Sequence, residues 1–213
     1  MITLQLFEDL ERRKLRLSNE IIFITDGGSG VISALRSKFG QMLIHQRCTI
    51  HKDRNIQKHL AKRYRKRAHS LFKAALLHVK YSDAKSELLK LEKWLRGINP
   101  SAANSLLEAL EEILTLHRLN APEEIRKILS TTNGIENLFS TVRHREKNLK
   151  NYSSIYRGKP VKKDISQRWL ATVLITAEKG FRKVKGHKEI PTVLASIRKL
   201  HEQIVDMESK KAA

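Results

Sequence analysis

The sequence predicts an α/β protein that is mostly helical. Three observations predict it. Ile21, Ile22, Phe23 and Ile24 form a short apolar, β-branched run that stops at Thr25-Asp26-Gly27-Gly28, which is how a buried strand closed by a turn reads. A second short apolar run, Met42-Leu43-Ile44, follows one helix later, so strand, helix and strand alternate. From about residue 59 to residue 129 the apolar pattern has only the helical period.

Taken in order, residues 1–17 read as a helix with Leu4, Leu6 and Leu10 on one face. The residue 21–24 strand puts Asp26 at its carboxyl end, where open α/β sheets place ligands and catalytic groups. Val31, Ile32, Leu35 and Phe39 then mark an amphipathic helix. After the Met42 strand, Arg47-Cys48-Thr49-Ile50-His51-Lys52-Asp53-Arg54-Asn55 opens another helix. Leu71, Ala74, Ala75, Leu77 and His78 lie near one face of the next. Leu88, Leu91 and Leu95 mark a further helix, and Leu106, Leu110, Ile113 and Leu114 one more. Asn99-Pro100 and Ala121-Pro122 punctuate this block.

In residues 131–147, Ile135, Leu138, Phe139 and Val142 follow i, i+3, i+4, i+7 as a buried stripe, with Glu136, Ser140, Arg143 and Lys147 beside it. Residues 148–163 are polar, carry Gly158 and Pro160, and predict a mobile loop. Trp169, Leu170, Val173, Leu174, Ala177 and Phe181 make residues 165–185 an amphipathic helix. A last helix from residue 193 to about 207 carries Leu194, Ile197, Leu200 and Ile204. The expected organisation is a partial α/β core in residues 1–58, helices in 59–129, the Glu136 helix and another in 130–190, and a terminal helix and tail in 191–213.

Charge is the outlier of the composition. There are 42 Lys+Arg against 22 Asp+Glu, a formal net charge of +20, and the pI is near 10.2. Such an excess predicts a polyanionic partner, nucleic acid ahead of an anionic membrane. No apolar run approaches the roughly 20 residues of a membrane span. The first residues do not read as a signal peptide. The single cysteine excludes an internal disulfide framework, which fits a reducing cytoplasm.

Each candidate site residue has an ordinary reading beside the functional one. Asp-Gly is a common turn pair, so Asp26 can simply cap the next helix. Asn133-x-x-Glu136 fits a helix-start capping pattern. Cys48 and His51 amount to half a zinc site, with no second cysteine and no matching histidine pair. A lone cysteine on a helix is more often a buried small residue. The basic residues fall in three clusters: Lys52, Arg54, Lys58, Lys62, Arg63, Arg65, Lys66 and Arg67; Arg143, His144, Arg145, Lys147 and Lys150; and Arg182, Lys183, Lys185, His187 and Lys188. Each alone is compatible with a solvated face; together they predict phosphate tracking along DNA, with Lys52, Arg54, Arg143, Arg145, Lys147, Arg182 and Lys183 as the contacts. Trp94 and Trp169 sit on apolar helix faces and read as core.

The segment TDGGSG…QRCTIHKDRN resembles the Mutator-type bacterial insertion-sequence transposases. The resemblance recurs in the same order at TTNGIENLFSTVRHREK and RWLATVLITAEKGFRKVKGHKEI, and spans residues 6 to 190 or so. It implies an RNase H-like fold with an all-helical insertion, an Asp-Asp-Glu triad, and a Cys-x-x-His motif between the second and third acids. Asp26 and Glu136 fall on the second and third acids, 110 positions apart, and Cys48 and His51 on the motif near the active site. The implied activity is DNA cleavage and strand transfer, in which acids hold two divalent cations, Mg2+ or Mn2+, one at the attacking oxygen and one at the leaving oxygen. Implied partners are element ends, target DNA and further copies of the chain, with no membrane, and the implied location is the cytoplasm, on the nucleoid.

The resemblance also calls for a first Asp on a strand upstream of Asp26. Only 25 residues precede Asp26, and Asp9 lies in a helical pattern. The expectation is an incomplete RNase H-like core, the carboxyl-terminal portion of a transposase, inactive alone. The competing expectation is a basic DNA-binding remnant without catalysis.

Overall fold

The computed structural model of the chain describes residues 2–15, 20–147, 155–156, 159–160 and 164–212. It divides into two compact units, residues 1–131 with 185–213, and residues 132–184.

The first unit is built on a parallel pair of strands. Strand β1 (Ile22–Thr25) and strand β2 (Ile44–Arg47) pair in register from Ile22 with Ile44 to Thr25 with Arg47. Helix α2 (Ser29–Phe39) makes the crossover that a parallel pair requires. Helix α1 (Ile2–Arg12) packs on α2 through Phe7, whose ring stands edge-on to Phe23 and Phe39 at 6.0 and 6.1 Å between centroids.

The second strand lies further along the chain than its apolar residues imply. Gly40–Met42 is a turn of 3-10 helix, and β2 consists of Ile44, His45, Gln46 and Arg47, all four buried. Burial of three polar residues is tolerated because each finds hydrogen-bond partners through its side chain or its backbone. Gln46 donates to the Ile113 carbonyl at 3.2 Å and accepts from the Leu116 amide at 3.1 Å. Thr115 donates to the His45 carbonyl at 2.6 Å.

Residues 59–129 are mainly helical, as the periodicity predicts, and a helix precedes them. Helix α3 (Thr49–Lys58) is followed by α4 (Lys62–Leu77), α5 (Tyr81–Arg96), α6 (Pro100–Leu107), α7 (Leu110–Ile113), α8 (Thr115–Arg118) and α9 (Glu123–Leu129). Ala84, Leu88, Leu91 and Leu95 line the buried face of α5 at helical spacing. Helix α6 starts where Asn99 accepts from the Ser101 amide and Pro100 occupies the first turn. Two details differ from expectation. The inner face of α4 is Ala68, Phe72 and Ala75, while Leu71 and Leu77 are exposed, a stripe rotated about one residue from the predicted one. The apolar set Leu106 to Leu114 is shared by α6 and α7 rather than carried by one helix.

Trp94 packs half-buried against this helical core, edge-on to Tyr64. A second cluster joins Ile44 of β2 to Leu116, Leu119, Ala121 and Ile125, and is closed by Val193 and Ile197 of the helix Ile190–Ala212. That helix is anchored by a His201 ring nitrogen 3.0 Å from the Met42 carbonyl and by an Arg198–Glu20 ion pair at 2.6 Å.

The second unit holds helix α10 (Asn133–Glu146), helix α11 (Asp164–Glu178) and a two-rung antiparallel ladder between β3 (Ile155–Tyr156) and β4 (Lys159–Pro160), making the terminal helix α12. The ladder stands inside the stretch predicted as a mobile loop; the rest of residues 148–163 lie outside the described residues. Val142 and Val173 are buried, but Ile135, Phe139, Trp169 and Phe181 are 44–62% exposed. Trp169 is therefore not a core residue, and the predicted α10 stripe is only partly covered. Helix α11 stops before Phe181.

Candidate metal and nucleic-acid site

Asp26 stands exposed immediately after β1, as the strand-then-turn pattern predicts. One of its carboxylate oxygens accepts the Gly28 amide at 3.1 Å. The turn reading of Asp26 is thus realised, although Gly28 and not Asp26 is the residue that caps α2. Gly27 turns the chain at φ +105°, and a Cβ there would collide with an Arg47 guanidinium nitrogen, so both backbone and space call for glycine.

The neighbouring strand brings the Cys-x-x-His pair to the same end of the sheet. The Cys48 amide donates to the Thr25 carbonyl at 2.8 Å, extending the parallel ladder to the residue before Asp26. Cys48 caps α3 and is fully buried; its sulfur lies 3.2 Å from His51 Nδ1, one turn along the helix. The next residue, Thr49, donates both amide and hydroxyl to the Ser130 carbonyl, at 2.9 and 3.1 Å.

A buried charged network, whose Arg36, His45, Glu108 and Glu112 the sequence reading did not single out, supports this end of the sheet. Arg47 is 4% exposed and spreads its guanidinium over three acceptors: the Gly27 carbonyl at 2.9 Å, Glu112 at 2.9 Å, and Glu108. Arg36 reaches Glu112 at 2.8 Å. His45 sits with one ring nitrogen 2.8 Å from the Thr25 hydroxyl and the other 3.4 Å from a Glu112 carboxylate oxygen. Burial pushes the Glu112 carboxyl upward, but His45 and Arg47 outweigh it and hold the group down at about 2. Partial burial likewise pushes Glu108 up, and Lys52 and then Arg47 draw it below its ordinary value. The visible signal is the triplet His45-Gln46-Arg47 directly after an apolar run: polar residues that continue a buried strand need buried partners.

Lys52 departs from the sequence reading. It is 3% exposed, and its ammonium donates to the Ser105 carbonyl at 3.0 Å and to Glu108 at 2.6 Å. It faces inward, so it leaves the set of phosphate contacts. The others, Arg54, Arg143, Arg145, Lys147, Arg182 and Lys183, are exposed. So are Lys62, Arg63, Arg65, Lys66 and Arg67 on α4, with Arg67 lying 5.0 Å over the Trp94 ring. Lys150 lies outside the described residues.

Glu136 is half-buried in the first turn of α10, in the second unit, and accepts from the Thr132 hydroxyl. Thr132, rather than Asn133, precedes the first turn, so the capping arrangement expected around Asn133 is replaced by this side-chain pair. Asp26 and Glu136 thus belong to different compact units. Among the described residues no three His, Cys, Asp or Glu side chains are grouped as a metal cage, and no helix is long and apolar enough to cross a membrane.

An exposed carboxylate at the end of a parallel strand, a Cys-x-x-His helix start beside it and a strongly basic surface are features of a DNA-processing class. Residues 3–159 match the family described as "Transposase, Mutator family", and the chain belongs to that family. It is 27% identical over 198 residues to the transposase for insertion sequence element IST2 of Acidithiobacillus ferrooxidans. That alignment covers 91% of this chain and 65% of the relative, so the chain spans less than two thirds of the relative's length.

Proposed function

We propose that this chain carries part of the catalytic centre of an insertion-element transposase that cleaves and joins DNA, with Asp26 and Glu136 as ligands for Mg2+ or Mn2+ in an RNase H-like frame. The observation that carries the reading is Asp26 itself: an exposed carboxylate on the sheet rim, one residue past the Thr25–Cys48 hydrogen bond, in a chain of this family. Two carboxylates offer hard oxygen donors, which suit magnesium and leave coordination positions for phosphate oxygens. Bound divalent cations would lower the charge barrier to attack on a phosphodiester. The protein's own part is to hold those carboxylates and to seat the DNA backbone on Arg54, Arg143, Arg145, Lys147, Arg182, Lys183 and the cations of α4.

The family pattern calls for a third carboxylate on a strand ahead of Asp26. Among the described residues no strand precedes β1.

Binding of the full chain to duplex DNA, titrated in EDTA and in Mn2+, tests the reading. Mn2+ should add an increment of affinity that Asp26→Asn and Glu136→Gln each remove, leaving the salt-sensitive part intact. Salt-sensitive binding with no metal increment would instead make the chain a basic DNA-binding protein without catalysis, the reading its +20 charge supports alone.

A further inference from the structure

We propose that Glu112 is a positioning residue for Asp26, acting through both of Asp26's chain neighbours without touching it. The inference rests on the reading of Asp26 as a metal ligand. Thr25, on one side, places its hydroxyl 2.8 Å from a His45 ring nitrogen, and the other nitrogen of that ring lies 3.4 Å from Glu112 Oε1. Gly27, on the other side, gives its carbonyl to Arg47 at 2.9 Å, and Arg47 Nε donates to Glu112 Oε2 at 2.9 Å. Two paths leave the residues flanking Asp26 and end on the two oxygens of a single carboxylate.

The groups along those paths are well held. His45 and Arg47 are 5% and 4% exposed, on a strand whose four residues are all buried. Arg36 adds a second hydrogen-bond donor to Glu112 from α2, the helix that Asp26 introduces. Glu112 itself lies on α7, in the helical segment that follows β2. The seating of those helices on the sheet therefore sets the backbone at Asp26. Gly27 gives the coupling its sharpness, because its φ of +105° is a conformation held open by the Arg47 bond, with no side chain of its own to brace it. A ligand that must sit correctly to share a cation gains from a neighbouring shell of this kind.

The test uses the full chain labelled with 15N, titrated with Mn2+ and followed by paramagnetic broadening of the Gly27 and Gly28 amides. The wild type should broaden saturably and Asp26→Asn should not. Glu112→Gln keeps the side-chain volume and removes the charge. It should raise the Mn2+ midpoint about tenfold and lower the Gly27 and Gly28 order parameters below about 0.6, while α5 and α6 amides keep their shifts. Arg47→Lys, which keeps the charge but loses the fork, should do the same and serves if Glu112→Gln does not fold. A lower melting temperature with an unchanged midpoint in these variants would reduce Glu112 to a structural role and overturn the proposal, leaving the metal reading standing. Unchanged broadening in Asp26→Asn would overturn the metal reading and the positioning proposal together.

Discussion

At Gly27 an added methyl group has nowhere to go. Gly27→Ala would meet the Arg47 guanidinium and a positive φ at once, and is expected to cost about 1–3 kcal/mol. In a thermal melt that is a fall of about 2–4 °C per kcal/mol. Glu112 gives a pH signature of known sign. Its carboxyl is held at about 2 in the folded chain against an ordinary 4.5, so its stabilising effect is complete above about 4.5 and fades as pH falls toward 2. The gap in melting temperature between the wild type and Glu112→Gln should therefore be constant near neutrality and close across that interval. At this scale the sequence showed Asp26 clearly, because a strand followed by Asp-Gly-Gly leaves few places for the acid. It did not show Lys52 correctly. Thr49, Lys52, Asp53 and Ile56 form the inward stripe of α3, and a stripe with only one apolar member looks like surface until its partner Glu108 is seen.

Among the elements, α6 shows how local chemistry fixes a boundary. Asn99 accepts the Ser101 amide at 2.8 Å and donates to the His59 carbonyl at 2.7 Å, so one side chain starts α6 and ties it to the end of α3. Asn99→Ala should cost about 1–2 kcal/mol in denaturant unfolding, against a few tenths for an exposed site such as Asn104→Ala. The Asn99-Pro100 pair made that boundary legible. The position of β2 was not legible in the same way. Met42 and Leu43 of its apolar run precede the strand, whereas the paired residues are mostly polar and depend on Thr115, Ile113 and Glu112, more than 60 positions away. Period-based reasoning sees neighbours along the chain, and the partners of β2 are not neighbours.

For the molecule as a whole, charge and connectivity decide behaviour. Arg143→Ala with Arg145→Ala should lower DNA affinity and flatten the slope of log K against log salt by about 1.8, about 0.9 for each phosphate that is no longer neutralised. Lys52→Met should lower stability by about 1–3 kcal/mol and leave that slope alone, because its ammonium is bonded inside the protein. The family, the helical majority and the alternation of strand, helix and strand were visible in the sequence, whereas the parallel pairing of β1 with β2 came from the structure. The grouping of residues 185–213 with the first 131 was not, since α12 carries an ordinary amphipathic pattern that fits any apolar groove.

That late-arriving helix bears on how the chain is made. A ribosome adds about 5–20 residues per second, amino end first. Ile44 and Ile125 are synthesised well before Val193 and Ile197, the side chains that finally shield them. For several seconds the nascent polypeptide carries a greasy seam with no lid, a natural landing place for a chaperone. Slowing translation after residue 131 should lengthen that window, and with it the time in which two unfinished chains can stick together.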